Sequence, residues 1–126
     1  AWDTKNRTSG HLRRLPLDEF LELATEIIGT KEINDHQFIS LQSGPQVDHP
    51  EIYIDETVVP NHNLDAYLAQ ISACDLVITI DNSTAHVAGA LGIPVINIIP
   101  KRCDWRWFDE ITYSPWYSSM ELWRRN

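Results

Sequence analysis

The sequence predicts an α/β fold, a parallel sheet flanked by helices, on three observations. Two apolar runs, Leu76–Ile80 and Val95–Ile99, enclose a small-residue segment, Ala85–Leu91, that stops at Gly92 and Pro94. This reads as strand, turn, helix, strand, a βαβ unit with short connections. An amphipathic stripe precedes it, with Leu17, Phe20, Leu21, Ala24, Ile27 and Ile28 at helical spacing. Along the whole chain, helical and strand-like segments alternate, the signature of parallel strands covered by helices.

Each element follows in turn. Ala1-Trp2 reads as the tail of a strand, and residues 3–14 as a polar loop. Pro16 suits the first turn of a helix over 17–28 and Gly29 its stop. Gln37–Gln42 alternates as a strand ending near Ser43-Gly44-Pro45, and Ile52–Ile54 as a shorter one. Asn63 or Asp65 can cap a helix through Ala73, with Leu64, Leu68 and Ile71 inward. One sheet is expected to contain 38–41, 76–80 and 95–98, with Val77, Ile78, Val95, Ile96 and Ile98 fully inside, because central parallel strands are covered on both faces. After Pro100 the chain is aromatic and reads as an irregular tail.

The chain of 126 residues is one domain's worth, and its 43% hydrophobic content argues against disorder. No apolar run approaches the ~20 residues of a membrane span, and no signal-peptide pattern opens the chain. Cys74 and Cys103 lack metal or redox spacing and read as free thiols in a reducing, cytoplasmic setting. A net charge of −8 argues against a nucleic-acid partner. The charge is unevenly spread. From residue 15 to 100, Lys31 stands as the one basic residue against thirteen acidic ones, and the other nine basic residues sit at the two ends. Topology would bring Lys101 and Arg102, which follow a strand, to the sheet's carboxyl edge, where open α/β sheets bind ligands.

The turn after Ile80 also lies on that edge. Asp81 can bind ligand hydroxyls or cap the helix, with Asn82 and Ser83 as rivals for the cap. Ser83 and Thr84 offer hydroxyls and N–H groups at a helix start, a setting that suits phosphate. Neither a P-loop nor a G-x-G-x-x-G fingerprint is present. His86, one turn in, reads first as a satisfied core residue; beside an anion it could donate to a phosphate oxygen. Gln42 ends a strand on the same edge. Basic residues of 5–14 and 101–106 are candidates for a diphosphate, with Arg106 able to bind in two-point fashion. Trp105 and Trp107 can stack on a base or cover the core's end. No Ser-His-Asp order, metal cluster or D-x-D spacing occurs; His36, His49 and His62 are scattered through loops.

DLVITIDNSTAHVAGALGIPVINIIPKRCDWRW, followed by SPWYSSMELWRR, resembles the C-terminal end of bacterial glycosyltransferases of the heptosyltransferase-like kind, glycosyltransferase family 9. The likeness is nearest to those fused behind tetratricopeptide repeats, which also resemble the O-GlcNAc-transferase catalytic region. FISLQ and the opening AW…N-R fit as well, while residues 44–62 match loosely. The resemblance implies a GT-B fold, in which this chain would be the second, Rossmann-like, donor-binding domain over residues 1–126. An N-terminal acceptor domain or tetratricopeptide repeats would be its missing partner. It further implies that Asp81 contacts the sugar, that Asn82, Ser83, Thr84 and His86 hold the diphosphate, and that Gln42 sits beside the nucleotide. Asp104, Trp105 and Arg106 are family-like donor-site residues without a firm role, and Lys101, a donor-site candidate by its charge, lies in the same segment. The donor would be an ADP- or UDP-linked sugar, transferred with inversion, without metal or other cofactor.

Three functions compete: the donor half of a sugar transferase, a non-catalytic nucleotide- or sugar-binding scaffold on the same fold, and an unrelated doubly wound sensor domain. The isolated chain is expected to bind donor weakly, to transfer no sugar at a useful rate, and to have a tendency to self-associate through Trp116, Tyr117 and Trp123.

Overall fold

The structure is a computed structural model that describes residues 14–44 and 46–125. The basic residues Lys5, Arg7 and Arg13 and the expected strand tail at Ala1-Trp2 lie outside the described residues. Helix α1, Leu17–Thr30, begins after Pro16 and buries Phe20, Ala24, Ile27 and Ile28, as its apolar stripe requires. Two short strands follow, β1 (Phe38–Ile39) and β2 (Ile52–Tyr53), paired in parallel. Helix α2, Leu64–Ser72, is capped by Asn63, whose side chain accepts from the Ala66 N–H.

The βαβ unit then appears as read. Strand β3 (Val77–Ile80), helix α3 (Ser83–Ala90) and strand β4 (Val95–Pro100) follow in order, and β3 pairs with β4 in parallel, Ile80 opposite Ile98. Helix α3 closes at Gly92, which has φ 73° and lets the Ile93 N–H reach back to the Ala88 carbonyl at 3.1 Å. Glycine is the residue that takes this left-handed turn without a Cβ penalty.

Both faces of the β3–β4 ladder are covered. Phe20, Ala24 and Ile27 of α1 pack with Ile80, Ile96 and Ile98 on one face. On the other, Tyr67 and Ile71 of α2 and Ala85 and Ala88 of α3 pack with Val77, Val95 and Ile99. Side chains alternate between faces with the strand period of two. The result is three layers, helix–sheet–helix.

Four expectations need correction. The segment after Pro100 is not an irregular tail: Met120–Arg125 forms β5, a third parallel strand beside β4, ordered β3–β4–β5. Its charged sequence, MELWRR, hides the fact that Met120 and Leu122 are buried in one core, while Trp123 packs against the other core on the α1 side. Residues 38–41 do not share one ladder with β3 and β4; β1 pairs with β2 separately. Ile78 is only partly buried, since β3 is an edge strand among the described residues. Leu64 is 60% exposed, and Tyr67, one turn on, takes the inward position on α2 instead.

Candidate functional site

Because β3 and β4 run in parallel and in register, their carboxyl ends place Asp81 and Lys101 on one edge of the sheet. The turn between β3 and α3 is tied together from within. Asn82, not Asp81, is the helix cap: its side chain accepts from the Thr84 N–H at 3.0 Å and from the Thr79 hydroxyl at 3.2 Å. An amide here keeps the cap uncharged next to Asp81, which is itself buried at 3% exposure. The cap therefore uses one of the N–H groups that the sequence offers to a ligand. Thr84 is also occupied: its Oγ1 lies 2.7 Å from the Tyr67 hydroxyl, which donates onward to the Leu41 carbonyl at 3.2 Å. Ser83, in contrast, is exposed at the helix start.

Tyr67 thus joins the carboxyl end of β1 to the start of α3, which brings Gln42 towards the same edge. Gln42 is buried, and its side-chain amide donates to the Ser43 carbonyl at 3.3 Å while its own carbonyl accepts from Gln46 at 2.7 Å. These bonds make Gln42 part of its own turn.

The loop after β4 folds back over α3. Asp104 caps the short 3-10 turn Trp105–Trp107, accepting from the Arg106 N–H at 3.1 Å and from the Arg106 guanidinium at 2.7 Å. Trp107 is fully buried and stacks on His86, ring centres 5.2 Å apart. Trp105 is 66% exposed, with Arg106 4.7 Å above its ring. The two tryptophans divide the roles that the sequence left open: Trp107 closes the core, and Trp105 is largely exposed, with Trp116 meeting its ring edge-on at 6.3 Å. Lys101 and Arg102 are exposed.

His86 is the residue with the most unusual setting. Burial lowers its pKa, and Arg106 lowers it further, while Asp81 and Asp104 pull it up. Its Nδ1 is 3.0 Å from the Tyr117 hydroxyl. Tyr117 was not among the residues the sequence marked for this site; its 31-residue separation from His86 and its place among other aromatics give no local signal.

A second feature missed by sequence is Arg124 of β5. Its guanidinium donates to the carbonyls of Trp107 at 3.0 Å and Phe108 at 2.7 Å and to Cys103 Sγ at 3.3 Å. It holds the loop that carries Trp105 and Arg106. Among the described residues no group of three His, Cys, Asp or Glu side chains is placed to hold a metal ion, and no helix is long and apolar enough to cross a membrane. A surface hollow of about 490 Å³ lies elsewhere, at the amino ends of β1 and β2 between Phe38 and Ile52, and takes no part in this edge.

The central segment also has a recognisable relative. Residues 47–101 match glycosyltransferase family 9 (heptosyltransferase). The match spans β2 through β4, less than half of the chain, and includes the whole Asp81–His86 turn. It supports a glycosyltransferase function in the broad sense, with a nucleotide-sugar as the substrate class. No curated protein and no solved structure matches the chain.

Proposed function

We propose that this chain is the donor-binding domain of a GT-B glycosyltransferase and holds a nucleoside-diphosphate sugar at the carboxyl ends of β3 and β4. The observation that carries the reading is the coincidence of the family match with the one edge where Ser83, His86 and the Lys101–Arg106 loop meet. Parallel sheets bind ligands at that edge.

The roles follow from exposure and from bonds already made. Ser83, Lys101 and Arg102 are exposed and available to phosphate oxygens. His86 adds a polar ring at the same turn. Asn82 and Thr84 position the turn, since the cap and Tyr67 engage their side chains. Asp81 supplies negative charge suited to sugar hydroxyls rather than phosphate, and Trp105 a face on which a base or sugar can stack. Gln42 sits towards the nucleotide end, and Asp104 steadies Arg106.

Transfer would be inverting and metal-independent, with Lys and Arg groups stabilising the departing diphosphate. The acceptor hydroxyl and its general base would come from a partner domain, tetratricopeptide repeats or an acceptor domain. Positioning and a placed base together account for much of such a barrier. The chain by itself should therefore bind donor and not transfer it.

The test is thermal and calorimetric titration with UDP, ADP and their sugar conjugates. Stabilisation should follow ligand concentration, reaching about 2.7 kcal/mol at 100 times Kd. Asp81→Ala should weaken the sugar conjugates more than the free nucleotides. Indifference to every nucleotide at millimolar concentration would sink the reading.

A further inference from the structure

We infer that Tyr117 is a positioning residue that holds His86 as its Nε2–H tautomer, so that the free ring nitrogen is a fixed hydrogen-bond donor to an oxygen of a bound nucleoside diphosphate. The ligand half of this inference rests on the donor-site reading; the tautomer half does not.

The geometry is a three-sided clamp. Trp107 covers one face of the imidazole at 5.2 Å, with the rings 24° from parallel. Tyr117 meets it edge-on, ring centres 5.8 Å apart at 68°. The Tyr117 hydroxyl then reaches Nδ1 at 3.0 Å. Among the described residues Nδ1 is the hydroxyl's hydrogen-bond partner, and Nε2 has none.

The seat of Tyr117 is built into α3. A Cβ on Gly89 would lie 2.5 Å from Tyr117 Cγ and under 3.0 Å from both flanking ring carbons. Glycine at 89, one turn beyond His86, lets the tyrosine ring lie flat on the helix at the height where its hydroxyl meets the histidine. The register of β5 fixes the other end, because the Met120 N–H bonds the Tyr117 carbonyl at 3.0 Å as the strand begins.

The direction of the hydrogen bond follows from the two groups. A neutral imidazole nitrogen is a stronger acceptor than a phenol oxygen, and a hydroxyl that accepted from Nδ1–H would leave its own proton without a protein partner. Tyr117 therefore donates to Nδ1, and the ring proton sits on Nε2. Burial and Arg106 favour the neutral ring, while Asp81 and Asp104 oppose them. These groups, with Tyr117 itself, are the titratable and charged neighbours that bear on it.

The experiment is long-range ¹H–¹⁵N spectroscopy of the ¹⁵N-labelled full chain at about pH 8, above the ordinary histidine range. His86→Gln identifies the His86 signals. The wild type should show an acceptor-type Nδ1 and a protonated Nε2. Tyr117→Phe keeps the ring on Gly89 and removes the hydroxyl; it should give a mixture of tautomers. Gly89→Ala keeps the hydroxyl and displaces the ring; it should give the same mixture. Affinity for UDP or ADP should fall about twofold in Tyr117→Phe, the loss expected when about half of the rings carry their proton on Nδ1 instead. An Nδ1–H tautomer in the wild type, or a wild-type tautomer in Tyr117→Phe, overturns the positioning role. Unchanged nucleotide affinity in a variant whose tautomer is released overturns the donor role of Nε2. A locked tautomer in a chain that binds neither nucleotide leaves the positioning in place and counts against the nucleotide site instead.

Discussion

The Tyr67 hydroxyl and Thr84 Oγ1 lie 2.7 Å apart in the interior, and with the Leu41 carbonyl they tie the segment after β1 to the start of α3. Tyr67 donates its proton to the Leu41 carbonyl, just past β1, so the Thr84 hydroxyl donates to the phenol oxygen. Burial raises the Tyr67 pKa, and Thr84 lowers it by less, which keeps the phenol protonated and able to fill this bridge. Tyr67→Phe leaves a buried carbonyl and a buried hydroxyl unpaired. Urea denaturation should show a loss of about 1–3 kcal/mol. Tyr67→Phe with Thr84→Val should cost less than the two single changes added, since they share one network. Strict additivity would show that the bridge carries no coupling.

Arg124 is expected to hold the loop after β4 by its fork of donors. Nη2 bonds the carbonyls of Trp107 and Phe108 while Nη1 reaches Cys103 Sγ, a spread over two nitrogens that the single ammonium of lysine does not reproduce. Arg124→Lys and Arg124→Met should both speed amide hydrogen exchange over residues 103–111 and lower stability. Unchanged exchange in that loop would refute the role.

Much of this architecture was readable from the sequence, for a physical reason. Most of Val77–Ile80 and Val95–Pro100 is buried, so their burial shows as apolar runs broken at Thr79 and Asn97. Strand β5 was not readable, because four of its six residues are only partly buried and three of those, Glu121, Arg124 and Arg125, are charged, so that the apolar signal is left to Met120, Leu122 and Trp123. The candidate edge was legible as topology, since a parallel pair fixes where Asp81 and Lys101 emerge. Which side chains are already engaged was not. The pairing of Thr84 with Tyr67, of Arg124 with the loop carbonyls and of His86 with Tyr117 depends on contacts between segments far apart in the chain.

Lys31 and Glu121 form an ion pair at 2.6 Å that joins the end of α1 to β5. Its hydrogen bond to Glu121 raises the Lys31 pKa. Burial pushes the Glu121 pKa up, but the bonds from Lys31 and Trp123 outweigh it and the net shift is down. The lysine contribution is complete below its unfolded pKa and disappears as pH rises through the folded one. The glutamate contribution is present above its unfolded pKa and disappears as pH falls through the folded one. The pair therefore acts between the two, across neutral pH. Both side chains are partly solvated, 39% and 22% exposed, so screening limits the effect. Glu121→Gln should cost about 1 kcal/mol or less at neutral pH, and molar salt should remove most of the difference. A difference that persists undiminished in molar salt would show that packing, not charge, is lost.

His86 gives the protein a pH dependence of the opposite sign to Lys31. Burial is the leading cause of its lowered pKa, so the folded state prefers the neutral ring more than the unfolded state does. Below the ordinary value of 6.5 the unfolded chain binds a proton that the folded chain resists. Stability contributed by the neutral ring is complete above that value and falls away as pH drops towards the folded pKa. Carboxylates titrate at lower pH, so the useful quantity is the difference between wild type and His86→Gln. Denaturation at closely spaced pH values from about 8 to 5 should show the wild type losing stability relative to the variant in this window. If a diphosphate binds beside the ring, its charge favours the imidazolium and reverses the pull of burial. UDP binding should then be accompanied by proton uptake near pH 6, visible as a buffer-dependent heat in calorimetry, and the uptake should vanish in His86→Gln. Binding without proton uptake in that range would show that His86 stays neutral in the complex, so that any bond it makes to the diphosphate comes from the Nε2–H of the neutral ring.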